Sequence, residues 1–209
     1  MANANKPSGF SPVRYLNGAK WNGGGNIYSI AASNANAIYI GDPVITDSAT
    51  GADANGVPAI TLGATTGALR GVVVGLGIAA PGVAPESLLA NPNNLTITYK
   101  PASDPAVWYA LVVDDPNVLF EIQEHSNGPQ LAAAQCGLNT ISVSGTGNGY
   151  VSGWQLASYT DATPATTATL QLRLFGLSRK LNNAFGAYAK WLVQINVHEL
   201  AHGTGAAGV

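Results

Sequence analysis

The sequence predicts an all-β protein built as a single sandwich or barrel, jelly-roll-like paths included, with an extended N-terminal arm. Three observations predict it. Short runs alternate apolar and polar residues with a period of two, which turns one strand face toward a core. Clusters of Gly, Pro, Asn and Asp fall between those runs and supply turns. Helical periodicity is scarce, and many short strands without helices pack as sheet on sheet or as a closed sheet. At 209 residues the chain is long enough for one domain with a sizeable core. The pattern divides it into an arm over 1–25, an all-β domain over 26–202 and a flexible tail over 203–209.

The arm carries no hydrophobic period, and Pro7, Pro12, Gly18 and Gly23 to Gly25 interrupt any regular element. Phe10, Arg14, Tyr15, Leu16 and Trp21 are scattered through it. Large apolar side chains on an irregular segment need a surface to bury them, either the body of the protein or a partner. Aromatic residues and Arg are the types enriched at binding hot spots. Those five residues are therefore the candidate partner contacts.

Strands are expected at 38–40, 44–46, 60–62 and 70–75. Leu95, Ile97 and Tyr99 then alternate with Thr96, Thr98 and Lys100. Residues 107–113 are apolar on both faces, as in a central strand buried from both sides. Val118, Phe120 and Ile122 alternate with Leu119, Glu121 and Gln123, and Ile141 and Val143 lie between hydroxyl residues. Leu170, Leu172 and Leu174 share one strand face and are expected to meet Val193 and Ile195 in one core. Turns are read at 41–43, 115–117, 126–129 and 147–149, and exposed loops at 47–56 and 158–167.

Only 10% of the residues are charged, against about a quarter in an ordinary domain. A net charge of −2 leaves no electrostatic footprint for nucleic acid, and no basic run would hold an anionic membrane. The most apolar run, 71–80, is too short to span a bilayer and ends at Pro81. Neither nucleic acid nor membrane is expected as a partner. The N-terminal MANANKPSGF lacks the apolar stretch of a secretory signal, which predicts a product made in the cytoplasm. A sparsely charged surface repels its own copies weakly and suits a protein packed against neighbours. Cys136 is the sole cysteine, and LAAAQCG over 131–137 predicts a short buried helical turn holding a structural thiol.

The end of the chain carries an enzyme signature. His198-Glu199-Leu200-Ala201-His202 fits H-E-x-x-H, which on a helix places two imidazoles on one face to hold zinc, with the Glu as general base. The longer metzincin pattern needs a third ligand at position 208, where Gly208 stands. The preceding Trp191, Val193, Ile195 and Val197 alternate with polar residues and are rich in β-branching, which predicts a strand. His198 then joins Gln194 and Asn196 on the solvated face, and Glu199→Ala should leave folding unchanged. Residues 75–80 fit the dinucleotide pattern G-x-G-x-x-A, but Pro81 and Gly82 break the required helix and no carboxylate follows at the ribose position. Asp114, Asp115, Glu121 and Glu124 read as a turn followed by polar-face positions rather than a calcium or acid–base site. Trp21, Trp108, Trp154 and Trp191 suggest a sugar platform only in part, since Trp108 and Trp191 have core patterning. No catalytic, metal-binding or cofactor-binding residue is assigned, and no cofactor is expected.

What the sequence resembles is carried by GFSPVRYLNGAKWNG near the N-terminus, DDPNVLFEIQEH in the middle, and TTATLQLRLFGL followed by AYAKWLVQINVHEL near the end. These segments resemble tailed-bacteriophage head decoration, or cement, proteins, which are small all-β virion proteins seated on the capsid shell. The resemblance implies a structural role on the outer capsid surface, assembled in the host bacterial cytoplasm. It implies major capsid protein as partner, bridged between adjacent subunits, and self-association as a dimer or trimer. It carries over no catalytic residues. The alternatives are a zinc metallopeptidase using His198, Glu199 and His202, and a carbohydrate-binding adsorption module of a virion.

Overall fold

A computed structural model describes residues 3–78, 97–201 and 205–208. The protein is all-β, with several antiparallel sheets in a sandwich-like arrangement. The strands are β1 (Ser11–Tyr15), β2 (Asn26–Ile30), β3 (Ile38–Tyr39), β4 (Pro43–Thr46), β5 (Ile60–Leu62), β6 (Gly71–Ile78), β7 (Tyr99–Lys100), β8 (Trp108–Val113), β9 (Val118–Gln123), β10 (Asn139–Thr140), β11 (Ser142–Val143), β12 (Gln155–Leu156), β13 (Leu172–Leu177) and β14 (Lys190–Ile195). One five-stranded sheet has the order β1-β9-β14-β13-β10, and a second has the order β2-β8-β6-β4-β5. We call them sheets A and B. Two-stranded ribbons, β11-β12 and β3-β7, flank them.

Sheet B curls until its outer strands approach, where Ser29 bridges Ala59 and donates its N–H to Pro58 O at 2.9 Å. Its two faces feed two cores. Tyr28, Ile30, Val44, Ile60, Val73, Ala110 and Val112 gather with Ile38 and Trp108 on one side. Val72 and Val113 face the other way and meet Val118, Phe120, Leu172, Leu174, Trp191, Val193 and Ile195 of sheet A. The expected double burial of 107–113 therefore holds for β8, which lies between β2 and β6. Leu172, Leu174, Val193 and Ile195 share one core as expected, but Leu170 precedes the strand and is not part of it.

Several expectations are corrected. The N-terminal segment does not form an arm without a sheet. Ser11–Tyr15 is β1, antiparallel to β9 at one edge of sheet A. Phe10 is 1% exposed and packs edge-on against Phe120 at 6.2 Å. Its N–H donates to Gly41 O at 2.9 Å, where Gly41 has φ +94° and a Cβ would collide with the Ser8 carbonyl. The tail is docked rather than free over 205–208: Gly208 N–H donates to Thr166 O at 3.0 Å and Asn139 Nδ2 donates to Ala206 O at 2.8 Å. Ala133–Gln135 forms a 3-10 turn, yet it buries no residue and Cys136 is exposed. Lys100, on the polar side of its alternation, is nonetheless interior. It is fully buried, and its Nζ donates to Asn34 O and Asn36 O at 2.6 and 3.0 Å. Burial pulls its pKa down.

Candidate interaction surface

The outer face of sheet A is built by two irregularities in its strands. In β1 the pairing with β9 shifts between Pro12 and Arg14, leaving Val13 as an extra residue. In β13 the pairing with β14 shifts between Leu174 and Gly176, leaving Phe175 as an extra residue. A bulge of this kind re-aims the side chains beside it. The results are Arg14 and Phe175 on the same surface, with the Arg14 guanidinium 5.3 Å from the centre of the Phe175 ring. Between them in the sheet, Leu119 of β9 is fully buried and Leu192 of β14 is half-buried.

Arg14, Phe175 and Leu192 line an open groove of about 690 Å³ with Leu177, Arg179 and Phe185. Phe175 and Phe185 keep 47% and 46% exposure. Among the described residues neither Arg14 nor Arg179 makes an ion pair. The nearby carboxylate, Glu121 on β9, is already engaged. It accepts from Ser178 Oγ at 2.6 Å and Lys180 Nζ at 2.8 Å, with Lys190 Nζ at 3.7 Å. Burial raises its pKa, but these donors outweigh that and hold it below the usual range. The groove therefore combines exposed aromatic rings with two cations that have no counter-charge among the described residues.

The five candidate contacts divide. Arg14 lines the groove and Leu16 is exposed at 39%. Tyr15 and Trp21 lean onto the core beneath sheet A, and Trp21 Nε1 donates to Gly24 O at 3.0 Å. Phe10 is interior and offers nothing to a partner. Sequence reasoning missed Phe175, Phe185, Leu177, Leu192 and Arg179. A signal existed in β13, where Leu172 and Leu174 are followed by Leu177 rather than by an apolar residue at 176. One residue is inserted into the alternation, beside a glycine.

The H-E-x-x-H segment is not helical in its described part; His202 lies outside the described residues. After β14, the N–H groups of Asn196 and Val197 both donate to Gln171 O, at 2.8 and 3.2 Å. Two residues share one partner, so the parity of the chain flips. His198 turns inward, bridges Leu69 and is 2% exposed, which corrects the expectation of a solvated histidine. Its Nδ1 accepts from Leu200 N–H at 3.0 Å and its Nε2 is buried without a partner among the described residues. Burial lowers its pKa against the opposing pull of Asp114. Glu199 is bound to sheet B through Thr46 N–H at 3.0 Å and Arg70 Nε at 3.1 Å.

The acidic residues are likewise structural. Asp114 accepts from Tyr28 Oη at 2.6 Å and Asn26 Nδ2 at 2.9 Å. Glu124 accepts from Leu131 N–H at 2.7 Å and Trp191 Nε1 at 3.0 Å. Burial pushes its pKa up to about 7. The second strand face of β9, whose Glu121 was read as a polar-face position, is buried throughout. Trp108, Trp154 and Trp191 are all in the cores, so the tryptophans form no shared surface platform. Gly75 and Gly77 of the dinucleotide-like pattern are strand residues of β6, and its last two residues lie outside the described ones. Among the described residues no helix is long and apolar enough to cross a membrane.

Comparison with known proteins finds no matching family model, no matching curated protein and no matching solved structure.

Proposed function

We propose that this chain is a non-enzymatic virion component of a tailed phage, decorating the outer capsid surface and bridging major capsid protein subunits as a dimer or trimer. The observation that carries the reading is the groove on sheet A. It exposes Phe175 and Phe185 beside two arginines without ion-pair partners among the described residues, on a chain with only 10% charged residues. Exposed aromatic and Arg side chains on an otherwise polar surface have the composition of a protein-binding hot spot. The resemblance of the chain to head decoration proteins supplies the identity of the partner.

The test is direct. The chain should be present at fixed stoichiometry in purified virions, and should bind shells assembled from the major capsid protein. Phe175→Ser and Arg14→Ala, both at the surface, should fold normally and each weaken shell binding by at least tenfold. Wild-type occupancy by both variants, or absence of the chain from virions, would overturn the proposal.

A further inference from the structure

A second feature lies apart from the groove, in a recess of about 300 Å³ lined by Tyr39, Asp42, Ser144, Thr146, Gly147 and Trp154. Its floor is a carboxylate. Asp42 is 2% exposed; its Oδ2 accepts from Tyr39 N–H at 2.8 Å, while Oδ1 is buried with no hydrogen-bond partner among the described residues. Ser152 Oγ accepts from Trp154 N–H at 3.0 Å, and its own hydroxyl counters part of the rise in the Asp42 pKa without closing a hydrogen bond to Oδ1. Among the described residues no basic side chain compensates the charge, and burial lifts the Asp42 pKa to about 6. Such an acceptor is costly to leave unpaired, and a native structure that keeps one has a use for it.

The walls are pre-formed. Tyr39 stacks on Tyr99 with ring centres 4.8 Å apart. Gly147 lies against the Tyr39 ring, where a Cβ would come within 2.6 Å. Gly145 and Gly153 approach each other closely enough that neither tolerates a side chain. The 144–147 segment is thereby held with the exposed Ser144 and Thr146 lining the recess, and Trp154 completes the wall. Ser and Thr hydroxyls both donate and accept, an ionised carboxylate only accepts, and the aromatic edges are apolar. A ligand matching this set carries hydroxyl donors along one edge and a C–H face along another.

We propose that the recess is a binding site for a single hexopyranose unit, with one sugar hydroxyl donating to Asp42 and others meeting Ser144 and Thr146. The site is independent of the capsid-docking reading. The experiment uses the full chain and a panel of glucose, galactose, mannose and N-acetylglucosamine, followed by saturation-transfer NMR and by tryptophan emission. At least one sugar should bind in the millimolar range and perturb tryptophan emission. Thr146→Val, at an exposed position, should weaken that binding severalfold. Asp42→Asn, which keeps an acceptor for Tyr39 N–H, should weaken it at least tenfold. Phe175→Ser should leave it intact. Failure of every sugar to bind overturns the proposal, as does binding that survives Thr146→Val unchanged. Binding of methylammonium in place of sugars would overturn it too, and would mark Asp42 as a cation acceptor.

Discussion

Glu124 shows what a buried ionisable residue does in this fold. Its two oxygens serve two separate donors, Leu131 N–H and Trp191 Nε1, at the end of β9. Burial outweighs those bonds and raises its pKa to about 7, so the folded state holds the proton more tightly than the unfolded chain does. Its contribution to stability is fully present below the unfolded carboxyl pKa and is lost as pH rises through about 7. Asp42 has the same sign, with its contribution lost as pH rises through about 6. His198 has the opposite sign. Its folded pKa is lowered, so its burial costs stability as pH falls below the unfolded histidine value. The expected outcome for Glu124→Gln is a smaller decline in urea midpoint between pH 5 and 8 than wild type shows. A carboxamide has one acceptor oxygen for two donors, so the variant should also lose about 1–3 kcal/mol at pH 5. A wild-type pH slope in Glu124→Gln would show that the decline arises elsewhere.

At the scale of elements, the same alternation that places Leu172 in the core leaves Leu170 outside it, because β13 begins only at Leu172. Leu172→Ala should cost about 2–5 kcal/mol through lost burial and a residual cavity. Leu170→Ala should cost at most about 1 kcal/mol. Urea unfolding of the pair reads the register directly, and equal costs would contradict it. β1 makes a second prediction. It covers the edge of β9, and Phe10 just before it fills the core against Phe120. Deleting residues 2–25 should therefore yield a destabilised, aggregation-prone chain, since an unpaired β9 edge and an emptied core pocket are both exposed. A soluble truncated chain with an unchanged melting temperature would show that the segment is dispensable for the fold.

For the molecule as a whole, the question is what locks sheet A to sheet B besides apolar contact. The segment after β14 is one such tie. Leu69 N–H donates to Val197 O at 3.0 Å, Glu199 N–H donates to Leu69 O at 2.9 Å, and the Glu199 carboxylate joins Thr46 and Arg70. Glu199 was expected to be dispensable for folding. The structure instead predicts that Glu199→Ala lowers stability by about 1–3 kcal/mol by leaving Thr46 N–H and Arg70 without their acceptor. Thermal unfolding measures this, and an unchanged midpoint would mean that solvent replaces the carboxylate at no cost. The acidic member of the enzyme-like motif thus has a structural role between the sheets.

Period-two alternation is a local property, written in side chains two apart, and it was enough to give the all-β class. It also gave the double burial of β8 and the shared core of Leu172, Leu174, Val193 and Ile195. Strand pairing is not local. Whether Ser11–Tyr15 joins a sheet depends on β9 offering it an edge, more than 100 residues away. The insertions at Val13 and Phe175, and the doubled partner of Asn196 and Val197, depend on which carbonyls face each strand. Each adds one residue and so reverses every side chain beyond it. Those reversals brought Arg14 and Phe175 together and turned His198 inward. The same holds for the second face of β9, for Lys100 and for Asp42. Alternation and turn signals do not say whether they are covered, and the segments packed over them make them interior.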